Sequence, residues 1–282
     1  MTTPVVRAPA SSANLGAGFD VLGMALDLCA DCGVGDPPPG AEALDQQHPA
    51  ATVFGELGGV GPIWIRHAIP MARGLGFSGS ARVAAAALAV VQRTGGDHSA
   101  ITEAADEILA VAARHEGHGD NVAASVFGGI TAYVDGRAVQ IPVGPTLAAA
   151  SFVAWIPDLT TSTDTSRRAL PPTVDRADAI HNIARSIQFV TAIAHDDPTL
   201  LADATDDRLH QAVRLEAVPG GAEALDAGVA AGAWCGWLSG SGPTIGLLCD
   251  ALAVDAVVAA LPGGGHAKVL AIDTIGVRPV DG

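Results

Sequence analysis

The sequence predicts an α+β fold, and three observations lead to that prediction. The chain has 282 residues, of which 49% are hydrophobic, and this is enough to bury a sizeable core. Only 4% of the residues are aromatic, so the core must pack through small aliphatic side chains at close approach. Predicted strands and helices fall into separate groups, without the strict strand–helix–strand alternation of a doubly wound sheet.

The first half of the chain combines strands, Ala-rich helices and one broken segment. In order, we predict a strand, a Gly/Ser/Asn-rich turn and an apolar stretch between Pro4 and Leu28, a loop over 33–50, a strand over 63–69, helices over 80–92 and 100–115, and a segment of mixed character over 122–134. The loop is assigned because Pro37-Pro38-Pro39-Gly40 interrupts any periodic pattern.

The second half begins with a strand at Ser151. In order, we predict a strand over 151–157, a Thr/Ser/Asp-rich loop, helices over 177–195 and 198–213, a strand over 233–238, another that ends at Cys249, a helix over 252–261 and a last strand over 269–277. We place a domain boundary at residue 150, which gives an N-terminal domain of 1–150 and a C-terminal domain of 151–282.

The charge of the chain excludes one class of partner. Its formal net charge is −15, and Lys268 is its only lysine, so no basic stripe is available for a nucleic-acid backbone. The same acidity repels phosphorylated ligands at long range. A phosphate site would therefore depend on backbone amides, arginine side chains and bound cations.

The distribution of apolar residues predicts a cytoplasmic protein without a membrane partner. No apolar run reaches the roughly 18 residues that a membrane-spanning helix needs. The longest run, around Val83–Val91, ends at Gln92. The first residues are polar and lack the apolar region of a secretory signal.

A glycine-rich loop, Gly74-Leu75-Gly76-Phe77-Ser78-Gly79-Ser80-Ala81, opens directly into an Ala-rich helix. Free backbone N–H groups and the positive end of the helix dipole make such a position suitable for phosphate, although a tight structural turn explains it equally well. The loop also fits G-x-G-x-x-G, but Pro70 to Arg73 separate it from the preceding strand, which weakens a dinucleotide-binding interpretation. A Walker A motif is excluded because no lysine follows the loop.

A second polar turn, Glu116-Gly117-His118-Gly119-Asp120-Asn121, lies between two apolar segments. Its carboxylates suit a divalent cation and a polar substrate. A pair of helix caps, with Gly117 as the stop and Asp120 as the start, is the structural alternative. Spacing alone does not promote Arg167 or Arg214 above other arginines as a binding residue.

Taken together, these loops resemble the motifs of the GHMP kinases, in the right order over nearly the whole chain. Ala8–Gly16 with Gly18–Gly23 resembles the first motif in its homoserine kinase form, Ile69–Ala81 the phosphate-binding second motif, and Leu238–Thr244 the third. Glu116–Ala123, followed by Gly128-Gly129, is similar to the stretch that distinguishes homoserine kinases from other members.

The resemblance implies an N-terminal domain like ribosomal protein S5 domain 2, a ferredoxin-like C-terminal domain, and an enzyme of threonine biosynthesis. ATP and Mg²⁺ would be the cofactors, a small molecule the substrate, and a homodimer is consistent with the family. The implied reaction is attack of the homoserine hydroxyl on the γ-phosphate, which yields O-phospho-L-homoserine.

The resemblance also implies a role for each motif residue. Asn14 and Asp20 would hold the substrate amine, Arg167 and Arg214 its carboxylate, and His118 and Asn121 would line the acceptor pocket. Asp120 and Asn121 are the candidate catalytic residues, with Asp120 as a candidate base. Ser78 and Glu116 would bind magnesium. The nucleotide would contact Pro70, Arg73, Gly74, Leu75, Gly76, Phe77, Ser78, Gly79 and Ser80.

Two features depart from the family pattern. Phe77 replaces the first of two serines that normally follow Gly-Leu-Gly, and the segment between the first two motifs is some tens of residues shorter than expected. These departures keep two alternatives open. One is a related kinase for a cyclitol, a polyol or another hydroxy acid, and the other is a non-catalytic homologue that only binds its ligand.

Overall fold

The computed structural model describes residues 4–280, and its separate sheets and helix groups confirm the α+β prediction. The strands are β1 (Val5–Ala13), β2 (Leu22–Val34), β3 (Glu42–Ala43), β4 (Ile63–His67), β5 (Ile130–Val134), β6 (Arg137–Ile141), β7 (Ser151–Pro157), β8 (Cys235–Leu238), β9 (Ile245–Cys249), β10 (Gly265–Ala271) and β11 (Arg278–Pro279). The α-helices are α1 (Pro49–Glu56), α2 (Phe77–Arg93), α3 (Ala100–Glu103), α4 (Ala105–Glu116), α5 (Asp120–Phe127), α6 (Pro145–Ala148), α7 (Thr163–Arg168), α8 (Arg176–His195), α9 (Gln211–Leu215), α10 (Gly221–Ala230) and α11 (Val254–Ala260).

Two antiparallel sheets organise the described residues. The seven-stranded sheet has the order β11-β1-β2-β4-β3, with β5 paired to both β2 and β6. The four-stranded sheet has the order β10-β7-β9-β8 and begins at Ser151. The chain returns to the first sheet at its end, where β11 pairs with β1. The division into domains of 1–150 and 151–282 stays a prediction.

Helix α2 lies at the centre of the main core. Twelve of its 17 residues are buried, and alanine, the best helix former, makes up much of the helix. Small side chains allow close packing against β1, β2, α4 and α5. Arg82 is the one residue between Gly79 and Val91 that is not buried. The helix therefore presents its N-terminus at a fixed place in the molecule.

The loop predicted over 33–50 is interrupted by regular structure. It contains β3, and α1 begins at Pro49, where proline suits the first turn of a helix. The His48 side chain accepts a hydrogen bond from the Ala50 amide, and Phe54 is buried on the inner face of α1. The segment predicted as a loop therefore ends in a short helix, α1, which is stabilised by packing of its buried face.

The prediction of a single helix over 198–213 is wrong. The structure has a 3₁₀ turn at Pro198–Leu200 and only the five-residue α9 at the end of that span. Between them, the buried Asp207 carboxylate accepts hydrogen bonds from the amides of His210 and Gln211. Side-chain acceptors of this kind compete with helical hydrogen bonds.

The final strand predicted over 269–277 overlaps β10 (Gly265–Ala271) only at 269–271, and the described chain ends with the short strand β11 instead. Helix α10 was not predicted. Within residues 4–280, no helix has the length and apolar character needed to cross a membrane.

Candidate active site

The phosphate-binding candidate is the turn Gly74-Leu75-Gly76 that precedes α2. Gly76 is the N-cap, with a φ angle of 68°, and no side chain caps the helix. The first amides of α2 are therefore free to bind an anion. A Cβ atom on Gly76 would lie 2.1 Å from Ser11 Oγ, and one on Gly74 would lie 2.3 Å from the Ser239 carbonyl oxygen. Only glycine fits at these two positions.

A cavity of about 250 Å³ lies at this turn. It is lined by Ala13, Asn14, Asp20, Pro70, Ala72, Arg73, Gly74, Leu75, Gly76, Phe77, Ser78, Glu116, His118, Asp120, Asn121, Thr163, Arg167, Arg214, Gly240 and Ser241. The structure thus brings together all but two of the predicted site residues. Gly79 and Ser80 lie outside the lining.

Ser80 is placed differently from its predicted role. It is fully buried, and its hydroxyl donates a hydrogen bond to the Ala8 carbonyl at 2.9 Å. The side chain ties α2 to β1 and does not reach the cavity. Arg73 lines the cavity, but its guanidinium donates to the Pro157 carbonyl. The Phe77 ring packs against the His67 ring, with centroids 4.2 Å apart.

A buried chain of hydrogen bonds joins segments from all three sequence motifs. The Trp237 indole N–H lies 2.9 Å from Ser12 Oγ, which lies 2.8 Å from Ser239 Oγ. Ser239 in turn donates to the Gly74 carbonyl at 2.6 Å. Because donors and acceptors are paired in the interior, the three segments are held in one arrangement.

A second wall of the cavity, formed by Asn14, Asp20, Arg167 and Arg214, carries a pair of opposite charges. Arg167 on α7 donates to both carboxylate oxygens of Asp20, at 2.8 and 2.7 Å. Asn14 accepts from the Asp20 amide at 3.1 Å and donates to the Gly240 carbonyl at 2.8 Å. Asn14 and Asp20 have φ angles of 71° and 59°, which are uncommon for residues other than glycine. Such strained positions concentrate at functional sites.

Arg214 is a buried cation at the same wall. Its Nη1 lies 3.2 Å from the Gly240 carbonyl and 3.3 Å from His210 Nδ1, and its Nε has no partner among the described residues. Burial lowers the pKa of Arg214 and also that of His210. A neutral His210 can donate from Nε2 to the Gly16 carbonyl, 3.0 Å away, and accept at Nδ1. Because Arg214 lines the cavity, its guanidinium is placed to bind a carboxylate.

The turn between α4 and α5 supplies the remaining polar groups. Gly117 ends α4 in the left-handed conformation, as predicted, but the N-cap of α5 is Gly119 and not Asp120. Asp120 Oδ1 accepts from the Asn121 amide at 2.8 Å and lies 3.2 Å from His118 Nδ1. Burial by itself would lower the pKa of His118. The hydrogen bond to Asp120 and the nearby carboxylate charges outweigh burial and raise this pKa.

Comparison with known proteins identifies the family. The model of the GHMP kinases N terminal domain matches residues 41–129, and the GHMP kinases C terminal model matches residues 189–267. The chain belongs to the GHMP kinase family. It is therefore a small-molecule kinase, and ATP is its phosphoryl donor.

Relatives of this GHMP kinase include two curated proteins named homoserine kinase. One, from Thermus thermophilus, is 36% identical over 265 residues, which cover 89% of this chain and 88% of the relative. The other, from Streptomyces avermitilis, is 36% identical and covers 96% and 93%. The crystal structure of homoserine kinase from Cytophaga hutchinsonii shares the fold, with a TM-score of 0.83 at 23% identity over 99% of this chain and 98% of that one.

The GHMP kinase also has a candidate position for a divalent cation. Ser78 Oγ donates to Glu116 Oε2 at 2.8 Å, so two oxygen ligands converge at the N-terminus of α2. Within residues 4–280, no cluster of three or more His, Cys, Asp or Glu side chains could hold a metal ion. Two protein oxygens fit Mg²⁺, which usually takes one or two carboxylates together with phosphate oxygens and water.

Arg82 is a site residue that sequence reasoning missed. Its Nη1 contacts both Ser78 Oγ and Glu116 Oε2. The available signal was its position on the predicted helix, because residues four apart lie on one face. Ser11, on β1, is a second residue near the site that sequence reasoning missed. Its hydroxyl donates to Asn121 Oδ1 at 2.9 Å, and so orients that amide.

Proposed function

We propose that this GHMP kinase transfers the γ-phosphoryl group of ATP to the side-chain hydroxyl of L-homoserine, which forms O-phospho-L-homoserine and ADP. One observation carries the proposal: a single cavity joins the free amides of α2 to a wall that bears Asp20, Arg167 and Arg214. The free amides suit phosphate, and the three charged side chains are complementary to the two charges of an α-amino acid. The names of the relatives support the same acceptor.

In this proposal, Asp20 binds the substrate ammonium, helped by Asn14, while Arg167 and Arg214 bind its carboxylate. When the substrate binds, Asp20 exchanges the Arg167 guanidinium for the substrate ammonium. Arg167 exchanges the Asp20 carboxylate for the substrate carboxylate. A zwitterion satisfies both side chains at once, so neither charge is left unpaired. Arg214, a buried cation that lines the cavity, gains an anionic partner. Together these contacts favour an amino-acid alcohol over a cyclitol or polyol.

The chemical step is in-line transfer. The substrate hydroxyl oxygen forms a bond to the γ-phosphorus while the bond to the bridging oxygen of ADP breaks. Asp120 is the candidate acceptor of the hydroxyl proton, because both of its protein contacts fall on Oδ1 and Oδ2 remains for the substrate. His118 and Asn121 line the acceptor pocket. Positioning and charge neutralisation account for most of the catalysis.

We also propose Mg²⁺ as the cofactor, with Ser78 and Glu116 as its protein ligands. The bound cation would neutralise negative charge on the phosphates. Support comes from the two oxygen ligands that meet at the helix N-terminus.

The test is ADP release with Mg-ATP and a panel of homoserine, threonine, other hydroxy acids and cyclitols. We expect fast turnover with homoserine alone. Asn121→Ala serves as a control for a contaminating kinase, and should reduce the rate strongly. Turnover of a cyclitol or polyol, with none of homoserine, would contradict the proposed acceptor while leaving the family intact.

The homodimer expected from the family is part of the proposal. Its support is a stripe of exposed isoleucines on α8, Ile180, Ile183 and Ile187, which are 59–61% exposed. Their spacing places them on one face, and a two-fold axis would bring two such faces together. Analytical ultracentrifugation of wild type and Ile183→Glu tests this, with a shift to monomer expected in the variant. The cytoplasmic location stays a prediction.

A further inference from the structure

Arg82 has an unusual place in the site. It is the one residue between Gly79 and Val91 on α2 that is not classed as buried, although its side chain is only 12% exposed. Its guanidinium contacts the Ser78 carbonyl, the Ser78 hydroxyl and Glu116 Oε2. It therefore contacts both proposed metal ligands, which are also hydrogen-bonded directly to each other.

Glu116 depends on this contact for its charge balance. Its side chain is only 10% exposed, and His118 is the nearest other basic group, with Nε2 3.9 Å from Oε1. A carboxylate removed from water needs a close cation. Oε2 already receives hydrogen bonds from Ser78 and Arg82, so a metal ion can bind this oxygen only if those contacts are exchanged.

Electrostatics makes that exchange conditional on a second anion. A divalent cation that entered alone would lie beside the Arg82 guanidinium and would compete with it for Glu116 Oε2. A polyphosphate brings the additional negative charge that both cations need.

We propose that Arg82 is a positioning residue that acts as the internal counter-ion of Glu116. It holds Ser78 and Glu116 together in the nucleotide-free enzyme and excludes divalent cations until the nucleotide is bound. This inference rests on the proposed metal role of Ser78 and Glu116.

The experiment measures binding of Mn²⁺, a paramagnetic substitute for Mg²⁺, by electron paramagnetic resonance of the full chain. In the absence of nucleotide, we expect no specific binding to wild type, and one bound ion when ADP is added. Arg82→Met should bind Mn²⁺ without nucleotide at least about tenfold more tightly than wild type, because the buried carboxylate has lost its cation. Arg82→Lys keeps the charge and should still exclude the ion.

Two further variants make the result specific. Arg93→Met is the matched control, since Arg93 also lies on α2 but pairs with Glu107 on the surface, and it should behave as wild type. Adding Glu116→Gln to Arg82→Met should abolish the new binding. The proposal is overturned if Arg82→Met gains no affinity, or if wild type binds Mn²⁺ equally well with and without ADP. The wild-type comparison needs no variant to fold.

The proposed function and this inference can be tested independently of each other. Mn²⁺ binding requires no acceptor, so an enzyme that ignores homoserine can still show the predicted metal pattern. Unchanged ADP-dependent Mn²⁺ binding in Glu116→Gln would instead contradict the assignment of the metal ligands.

Discussion

The two walls of the cavity are held in place by different forces. The turn Gly74-Leu75-Gly76 is fixed by buried hydrogen bonds and by backbone contacts that leave no room for a side chain. The second wall includes α7, a helix of six residues with none buried. It is linked to the first motif through Arg167 and Asp20, and to the third through hydrogen bonds of Thr163 and Ser166 with Ser241. The first wall is built into the core, whereas the second contains an ion pair that can change partners.

This difference indicates that the first wall binds phosphate and the second binds the amino-acid substrate. Phosphate binding through backbone amides requires fixed geometry, so it is built into the core. Arg167 and Asp20 are both 37% exposed, and an exposed ion pair contributes only about 0 to 1 kcal/mol to folding. The pair can therefore open for a substrate at little cost to stability. Changes to the first wall should affect folding, and changes to the second should affect substrate binding.

The largest effect is expected for Gly76→Ala, which tests the fixed wall. The new Cβ would meet Ser11 Oγ at 2.1 Å in addition to the strain of a positive φ. Strain of this kind costs about 1–2 kcal/mol by itself, and the clash adds to it. Urea unfolding measures the change. Gly95→Ala is the control, because its φ is 72° and nothing lies within 4 Å of its Cβ. Equal losses in both variants would show that the contact with Ser11 is unimportant.

The next effect is expected for Arg167→Met, which tests the exchangeable wall. Loss of a charge-assisted contact to the substrate carboxylate should raise KM for homoserine by about 10- to 100-fold. KM for ATP and the urea midpoint should change little. Arg168→Met is the matched neighbour, 80% exposed and directed to Asp164. Steady-state kinetics on both variants distinguishes the two residues, and similar KM values would contradict the assignment of Arg167.

A smaller effect is expected for Ser12→Ala, which breaks the buried chain of hydrogen bonds. The variant leaves the buried Trp237 N–H without an acceptor, while the Ser239 hydroxyl loses one of its two hydrogen bonds and keeps its donation to the Gly74 carbonyl. Unsatisfied buried groups cost about 1–3 kcal/mol, so the free energy of unfolding should fall by that amount. Thermal unfolding provides the measurement. A variant as stable as wild type would mean that the network does not fix the three motifs.

The smallest effect concerns His118, whose pKa is raised in the folded protein. A raised pKa stabilises the folded state fully below the unfolded value of 6.5, and this contribution is lost as the pH rises through the folded value. The stability difference between wild type and His118→Gln should therefore be larger at pH 6 than at pH 8. His98→Gln, at an exposed position, is the control. A difference that grows with pH would have the wrong sign.

The sequence predicted the fixed wall better than the exchangeable one, and the reason is physical. The turn before α2 is contiguous in the chain, and glycine spacing with a following helix is a local signal. The Asp20–Arg167 pair of the exchangeable wall joins residues 147 positions apart. The same is true of the network behind the fixed wall, where the Trp237–Ser12 bond joins residues 225 positions apart. No local pattern encodes such contacts. The family resemblance named Asp20 and Arg167 as substrate residues, but not their contact with each other.

Local signals also led to errors where burial decided the outcome. Ser80 lies within the glycine-rich motif, yet its side chain points into the core, because the helix turns that face toward β1. The helix predicted over 198–213 is broken by the buried Asp207. Arg82 was overlooked because its role depends on Glu116, which lies 34 residues away.

The most direct test of the central claim is phosphorus NMR of the reaction itself. Enzyme, Mg-ATP and L-homoserine should produce a new phosphomonoester resonance, split by the two protons of the adjacent methylene group, in equal amount to ADP. That result would establish transfer to the homoserine hydroxyl. ATP that remains unchanged, or that yields only inorganic phosphate, would contradict the account.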